Sequence, residues 1–278
     1  MKGSFKIHEI PGYICNLFLA EYDGGMLLLD SGSIADVKRV EDYCQNVLKR
    51  PVNDIKLVVV SHSHPDHAGG ASVWRNKHKI PIAAHPRIDK WYYGAGGLLQ
   101  HKIDCYLASW VAHRKKIKLE PILFNPRIRP DHVLEDQAEL PYFPDWQVLH
   151  IPGHTINDVA LYNEEEKTLY PGDCVMDVAG KLLLPVPIVF PDKMADSFDR
   201  LAELDANTIV LAHGSTIITD DPAEVFLHMK TLLEKPHNPL TALAYKLSYF
   251  SPEYRRYKGD KGESRKWKGE RGKGLSNS

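Results

Sequence analysis

The sequence His62-Ser63-His64-Pro65-Asp66-His67 decides the fold of this chain, because it places four metal-capable side chains within six residues. It begins one residue after Leu57-Val58-Val59-Val60, an apolar run that is typical of a buried strand. Imidazole nitrogens and carboxylate oxygens are suitable ligands for zinc or iron. Packing does not explain three histidines and an aspartate at the end of a buried strand, so the stretch predicts a metal site. A sharp turn would direct the first two histidines to one side and the last two residues to the other.

Four further motifs lie before and after this stretch. They are Leu27-Leu28-Leu29-Asp30-Ser31-Gly32, Pro152-Gly153-His154-Thr155, Tyr170-Pro171-Gly172-Asp173-Cys174 and Leu211-Ala212-His213-Gly214. Together with the histidine-rich stretch, and in this order, they resemble the signatures of the metallo-β-lactamase-fold hydrolase superfamily over roughly residues 7–234. The resemblance implies an α+β fold, a four-layer αβ/βα sandwich made of two similar halves.

The resemblance also implies a set of ligands for two metal ions. The first ion would be held by His62, His64 and His154, the second by Asp66, His67 and His213, and Asp173 would bridge both. An anionic bridge offsets the repulsion between two divalent cations a few ångströms apart. We expect two zinc ions per chain, with iron or manganese as alternatives, and we expect Asp66 and Asp173 to be catalytic.

Asp30 does not fit this ligand count. We expect it to accept a hydrogen bond from the second nitrogen of a ligand or from the turn of the motif, and so to fix the geometry of the site. Cys174 adjoins the expected bridging aspartate, and we expect it to pack beneath the site without binding metal. The other histidines are interpreted as structural or surface residues, and His85 and His132 are the two to check against the structure.

Two metal ions at such a centre would lower the pKa of water toward ~7 and polarise a carbonyl oxygen. The sequence therefore predicts a hydrolase that uses a bridging hydroxide to cleave an ester, thioester or lactone bond of a small-molecule substrate. Hydrolysis of β-lactams is a weaker expectation, since β-lactamases of this fold commonly lack the bridging aspartate. Residues 175–181 do not match the stretch that follows this aspartate in the glyoxalase II family.

An oxidative reaction is the alternative. Persulfide dioxygenases resemble this fold and bind one iron through two histidines and the aspartate. Ligand identity does not separate the two reactions, because imidazole and carboxylate suit both metals. A non-catalytic metal-binding module is a third hypothesis, which the complete ligand set disfavours.

Composition limits the partners and the location. The formal net charge of −1 over 278 residues gives no electrostatic case for nucleic acid. The N-terminus lacks the apolar stretch of a signal peptide, and no run approaches the ~20 apolar residues of a membrane span. The four cysteines are scattered and contain no CxxC pair, which is typical of reduced thiols. We therefore expect a cytoplasmic enzyme.

We expect residues 1–252 to form the metallo-β-lactamase-like domain, with a helical insertion over about residues 86–140. The insertion contains a helix-like stretch from about Leu98 to Arg114, and it is interpreted either as an excursion over the active site or as a scaffold extension. It is also a candidate surface for a homodimer. Residues 253–278 hold nine Lys and Arg against four Asp and Glu with few apolar residues, which predicts a disordered basic tail.

Two further helices are predicted near the ends of this domain. Periodic apolar residues predict a helix from Ser33 to Leu48, with Ser33 as its N-cap. A final helix is expected over Leu240–Phe250.

Overall fold

Two six-stranded sheets form the centre of the protein in a computed structural model, which describes residues 1–234 and 250–258. The strands of the first sheet are β1 (Lys6–Pro11), β2 (Asn16–Tyr22), β3 (Gly25–Leu29), β4 (Ile55–Val60), β5 (Ile82–Ala84) and β6 (His132–Val133), in that spatial order. β1, β2 and β3 pair antiparallel, and β3 to β6 run parallel. Since parallel strands end at one edge of a sheet, Asp30 after β3 and His62 after β4 are brought to the same edge.

The second sheet places three further motifs at one edge. Its strands, in spatial order, are β14 (Ile217–Ile218), β13 (Thr208–Ile209), β10 (Thr168–Tyr170), β9 (Val159–Asn163), β8 (Phe143–His150) and β7 (Glu139–Leu140). β9 is antiparallel to both β8 and β10, and β10 is parallel to β13. The chain therefore leaves β8, β10 and β13 at the same edge, and these exits lead to His154, Asp173 and His213. A separate hairpin consists of β11 (Met176–Val178) and β12 (Lys181–Leu183).

Helices cover the outer faces of both sheets. They are α1 (Asp36–Asp42), α2 (Pro65–Ala68), α3 (Ala71–Val73), α4 (Gly94–Arg114), α5 (Pro191–Ala202) and α6 (Pro222–Leu233). π-helical turns extend α1 over Tyr43–Leu48 and α3 over Trp74–His78, and short 3₁₀ turns lie at Val52–Asp54 and Ile88–Lys90. A proline occupies the first turn of α2, α5 and α6, where its missing N–H costs no hydrogen bond. No helix in the described ranges is both long enough and apolar enough to cross a bilayer.

The two sheets pack face to face through aromatic side chains. The rings of Phe18 and Tyr170 lie 6.0 Å apart, and those of Tyr22 and Phe143 lie 5.3 Å apart. The Trp146 indole N–H donates a 2.7 Å hydrogen bond to the Tyr22 hydroxyl, which satisfies the one polar atom that a buried indole carries.

The outer faces of the sheets are buried by the helices. Val40 of α1 and Trp74 are fully buried in the cluster that contains the first sheet, and Phe198 of α5 and Phe226 of α6 are fully buried against the second. The layers therefore run helix, sheet, sheet, helix, and the predicted αβ/βα sandwich is confirmed.

Ser33 does not cap the first helix, which begins three residues later than predicted. The backbone N–H of Ser33 donates to Asp36 Oδ2 at 2.8 Å, and that of Tyr13 donates to Asp36 Oδ1 at 2.7 Å. The Ser33 hydroxyl is buried and has no hydrogen-bond partner among the residues described. The carboxylate of Asp36 thus organises the loop that precedes α1, a role that the sequence pattern assigned to the serine.

Part of the predicted 86–140 insertion belongs to the sheets. β6 is the edge strand of the first sheet and β7 that of the second, so the part outside the strands consists of the residues before β6 and the short connection at 134–138. The helix within it begins at Gly94, four residues earlier than predicted.

The start of the predicted basic tail is ordered into the fold, because residues 252–258 are helical. Glu253 is buried, and its two carboxylate oxygens accept hydrogen bonds of 2.8 and 2.9 Å from Arg87. The rest of the tail, residues 259–278, lies outside the described residues. The helix predicted over Leu240–Phe250 also falls outside them, except for Phe250.

Candidate metal centre

Three histidines meet at the facing edges of the two sheets. His62 Nε2 lies 3.1 Å from His64 Nδ1, and His64 Nδ1 lies 2.7 Å from His154 Nε2. All three side chains are buried. Their ring nitrogens lie within 4.8 Å of one another, so the three side chains could hold one metal ion.

A second group of ligand atoms lies beside the first. Asp66 and His67 come from α2, and His213 comes from the loop after β13. Asp66 Oδ2 lies 3.2 Å from His213 Nε2 and 3.6 Å from His67 Nε2. These atoms also lie within 4.8 Å of one another and could hold a second ion.

Asp173 lies between the two groups. Its Oδ1 is 3.1 Å from His67 Nε2, and its Oδ2 is 3.4 Å from His213 Nε2. The same Oδ2 is 3.6 Å from His154 Nε2 and 3.9 Å from His62 Nε2. One carboxylate therefore faces nitrogens of both groups, as a bridging ligand would.

The residues present fit a bound cation. His67 Nε2 and Asp173 Oδ1 are buried and make no hydrogen bond within the described part of the chain. Buried polar atoms without partners are rare in folded proteins, and an ion that contacts both atoms is one explanation for such a pair. Imidazole and carboxylate are also the donors that zinc and iron take in proteins.

The turn after β4 explains how one short segment serves both groups. Pro65 occupies the first position of α2, and the N–H groups of His67 and Ala68 donate to the His64 carbonyl at 3.0 and 2.8 Å. The His67 carbonyl accepts from the backbone N–H and the hydroxyl of Ser31 at 2.9 and 2.7 Å. The short helix thus places Asp66 and His67 in a group of ligand atoms with His213, while His64 belongs to the group with His62 and His154.

Asp30 is connected to a histidine of each group. Its Oδ2 lies 2.7 Å from His67 Nδ1, and Tyr170 also donates its hydroxyl to this oxygen. The Ser61 hydroxyl donates to Asp30 at 2.7 Å and lies 3.1 Å from His62 Nδ1. The hydrogen bond predicted between Asp30 and the second nitrogen of a histidine is therefore present, and it orients Nε2 of His67 toward the site.

His154 is oriented by contacts that the sequence did not reveal. Its Nδ1 donates to the Pro187 carbonyl at 2.6 Å, so Nε2 faces the other histidines. Asp158 accepts hydrogen bonds from the N–H groups of Gly153 and Thr155 at 3.1 and 2.7 Å, which holds the loop on both sides of His154. No motif or spacing in the sequence identifies Asp158, because its partners are backbone N–H groups, which do not depend on residue type.

The His213 loop is fixed across the gap between the sheets. Asn16, at the start of β2, donates from its backbone N–H to the Ala212 carbonyl at 2.7 Å. Its side-chain amide donates to the Gly214 carbonyl at 2.8 Å. The first sheet therefore holds the loop that carries His213 in the second.

The first group of histidines is neutral. Burial lowers the pKa of His62 well below its ordinary value and lowers the pKa of His64 to about 4. Burial also lowers the pKa of His154. Neutral imidazoles are the form that binds zinc, so these three rings need no proton removed at neutral pH.

The second group carries charge. Burial by itself would lower the pKa of His213, but Asp173 and Asp66 outweigh it and raise that pKa to about 9. Asp173 likewise leads the carboxylates that hold the pKa of His67 well above its ordinary value against burial. His67 and His213 in turn hold the pKa of Asp66 down at about 2, although burial acts in the opposite direction. In the absence of metal, protons on two histidines thus balance the buried carboxylates.

The two other histidines singled out in the sequence lie away from these groups. The His85 ring stacks on His150 at 4.6 Å, and its Nδ1 accepts from the Arg87 N–H. His132 lies in β6 against the Tyr142 ring. Cys174 is buried in the apolar cluster of the second sheet, which agrees with the packing role expected for it, and it belongs to none of the candidate ligand groups in the described chain.

Comparisons with known proteins agree with this geometry. Residues 10–213 match the sequence profile of the metallo-beta-lactamase superfamily. The chain is 29% identical over 219 residues to the acyl-coenzyme A thioesterase MBLAC2 of Gallus gallus, covering 73% of each protein. It is 26% identical over 178 residues to the probable metallo-hydrolase YflN of Bacillus subtilis, which aligns 58% of this chain with 64% of that protein, just under two thirds.

A solved structure shares the fold. The metallo-beta-lactamase family protein TTHA1429 from Thermus thermophilus superposes with a TM-score of 0.62 over 92% of this chain and 94% of that chain. The identity is 22%, so the likeness concerns the fold.

Proposed function

This chain belongs to the metallo-beta-lactamase superfamily, and from that premise we propose a hydrolase with two zinc ions that cleaves a thioester or a related ester or lactone. The observation that carries the proposal is the position of Asp173 between two complete groups of ligand atoms. A single-metal site would not require the second group.

We propose that the seven side chains divide between two ions as the family resemblance implies. We assign His62, His64 and His154 to the first ion, Asp66, His67 and His213 to the second, and Asp173 to both. When bound, such a pair of ions lowers the pKa of water and polarises a carbonyl oxygen. Asp173 would hold the two groups together, and Asp66, whose buried Oδ2 lies 3.2 Å from His213 Nε2, would orient the attacking water.

Support for a thioester comes from the similarity to a protein named as an acyl-coenzyme A thioesterase. The aromatic residues of the 86–140 segment add little support for an apolar substrate. Trp91, Tyr92 and Phe124 are buried and pack this segment against the core. Tyr93 and Trp110 are exposed, at 61% and 40% of their full surface.

The iron-dependent oxidative alternative differs in stoichiometry. A persulfide dioxygenase-like enzyme would hold one iron through two histidines and Asp173, which leaves Asp66, His67 and His213 without a ligand role. Their convergence within ligand distance favours the dinuclear hydrolase. Iron or manganese in both positions stays compatible with the same chemistry.

The substrate proposal is tested by turnover of a panel of small thioesters, lactones and aryl esters. The unmodified protein should hydrolyse at least one of these classes. Asp66→Asn should lower kcat/KM by about 100-fold or more, because an interaction needed in the transition state is lost. The circular dichroism spectrum of the variant should stay unchanged. Asp145→Asn, a carboxylate that accepts from Tyr22 far from the site, is the control and should retain activity. Full activity of the Asp66 variant would contradict the dinuclear mechanism.

Two further features of the protein remain proposals. We propose a cytoplasmic location, and self-association through the outer face of α4, where Leu98, Leu99, Tyr106 and Trp110 are exposed. Light scattering of the purified protein, compared with a Tyr106→Glu variant, tests the second. A monomer in both cases would remove α4 as a dimer surface.

A further inference from the structure

We propose that Asp104 of α4 is a positioning residue that holds the His64 ring through its outer nitrogen. The inference rests on the proposed function, because it treats His64 as a metal ligand. It assigns the 86–140 segment a direct part in the site, which the sequence left open between an excursion over the site and a scaffold extension.

The orientation of His64 defines which nitrogen needs a partner. Its Nδ1 faces the site, since this atom lies 3.1 Å from His62 Nε2 and 2.7 Å from His154 Nε2. A neutral imidazole that offers the lone pair of Nδ1 carries its proton on Nε2. His64 Nε2 is therefore a donor on the far side of the ring, in a side chain that is 11% exposed.

Asp104 is the carboxylate on that side. Its Oδ2 lies 3.8 Å from His64 Nε2, and both residues are buried, at 7% and 8% of their full surface. A hydrogen bond needs a separation of about 3 Å, so a movement of under about 1 Å by either side chain would form one.

Two neutral donors fix the Asp104 carboxylate. Gln100, one turn earlier on α4, donates from its amide to Oδ1 at 2.8 Å. The Tyr92 hydroxyl donates to Oδ2 at 2.8 Å. Since a carboxylate oxygen accepts more than one hydrogen bond, Oδ2 retains a lone pair for the His64 N–H.

The other oriented histidines show the same design. The second nitrogen of His62 meets the Ser61 hydroxyl, that of His67 meets Asp30, and that of His154 meets the Pro187 carbonyl. Asp104 gives His64 the equivalent partner. Partners of this kind fix the ring and raise the basicity of the ligating nitrogen, and their loss commonly weakens metal affinity by about 10- to 100-fold.

A purely structural role for Asp104 makes a different prediction. Asp104 would then only join Gln100 and Tyr92, and its substitution would lower thermal stability without changing the metal site. Metal affinity and the spectrum of a bound ion separate the two roles.

The test is zinc binding to Asp104→Asn by competition with a chromophoric chelator, together with the visible spectrum of the cobalt-substituted protein. We expect about 10- to 100-fold weaker binding at one of two sites and a shifted cobalt spectrum. Cys105→Ala, the adjacent buried residue on α4, is the control and should change neither. Tyr92→Phe, which releases Oδ2, should weaken the same site less and is the second variant if Asp104→Asn does not fold.

The proposal is overturned if both variants bind zinc within twofold of the unmodified protein with an unchanged cobalt spectrum. Failure of the proposed function gives a different result, since the unmodified protein itself would then bind fewer than two ions or turn over no member of the ester panel.

Discussion

Replacing Asp30 with asparagine tests how the hydrogen-bond network supports the candidate centre. The Asp30 carboxylate accepts from the Ser61 N–H at 2.6 Å, the Ser61 hydroxyl and His67 Nδ1 at 2.7 Å, and the Tyr170 hydroxyl. An amide of the same shape keeps one acceptor oxygen, so at least one buried donor would face the new NH₂ group. That unsatisfied donor costs about 1–3 kcal/mol, and the bonds that remain lose their charge assistance, at about 1 kcal/mol each.

The expected loss is therefore about 4–6 kcal/mol of the free energy of unfolding, a large part of the about 5–15 kcal/mol that stabilises an ordinary domain. Metal binding should weaken as well, because Asp30 orients His67 directly and His62 through Ser61. We expect about 10- to 100-fold lower zinc affinity, equivalent to about 1.4–2.7 kcal/mol. Urea unfolding of the metal-free protein and chelator competition measure the two effects separately.

Asp36→Asn provides the matched control. Asp36 is a buried carboxylate that accepts from the backbone N–H groups of Tyr13 and Ser33, away from the candidate ligands. Its substitution should lower stability and leave zinc affinity unchanged. Zinc affinity of Asp30→Asn within twofold of the unmodified protein would refute the assignment of Asp30 to the metal centre.

Other perturbations give separate expectations. The pKa of His213 is raised to about 9, so its protonated form contributes stability that is fully present below the unfolded value of ~6.5 and lost as the pH rises through 9. Urea unfolding of the metal-free protein should show this decline, and flat stability between pH 6.5 and 9.5 would contradict it. Metal must displace the same proton, so the apparent zinc affinity of the site formed by Asp66, His67 and His213 should rise by up to about tenfold per pH unit from pH 7 to 9. A pH-independent affinity in chelator competition would count against this coupling. Trp74→Ala should cost about 3–5 kcal/mol in urea unfolding, because the side chain is fully buried between α3 and the first sheet. A cost below 1 kcal/mol would show that the packing there is loose. His154→Ala should leave one ion per chain by elemental analysis, and two ions would remove His154 from the ligand set.

The sequence was sufficient for the parts of the site that depend on local chemistry. Three imidazoles and a carboxylate after a buried strand have no packing explanation, so the turn at the end of β4 could be predicted. The prolines and glycines at the other motifs marked the strand ends where Asp173 and His213 lie. The resemblance to a known family then supplied their order.

Residues that act through backbone groups or across long sequence separations escaped this reasoning. Asp158 holds the His154 loop through N–H groups, and Asn16 holds the His213 loop from nearly two hundred residues earlier. Neither contact leaves a periodic or spaced pattern. Asp104 lies on a helix whose outer face is also apolar, so its burial could not be deduced from periodicity.

The start of the first helix and the two short edge strands were not predicted correctly, for a related reason. Ser33 matched the expected N-cap, but α1 begins three residues later, and the Ser33 backbone N–H donates to the Asp36 carboxylate. β6 and β7 are two residues each, which is too short for a pattern of alternating burial. They are strands because they pair with the neighbouring strands of their sheets, β5 and β8.

The most direct test of the central claim is elemental analysis of the purified protein, with turnover of the ester panel measured on the same sample. The account predicts two divalent ions per chain, loss of hydrolysis when a chelator removes them, and recovery when zinc is returned. A single iron per chain in a sample that hydrolyses none of the panel but consumes oxygen with a persulfide would contradict it.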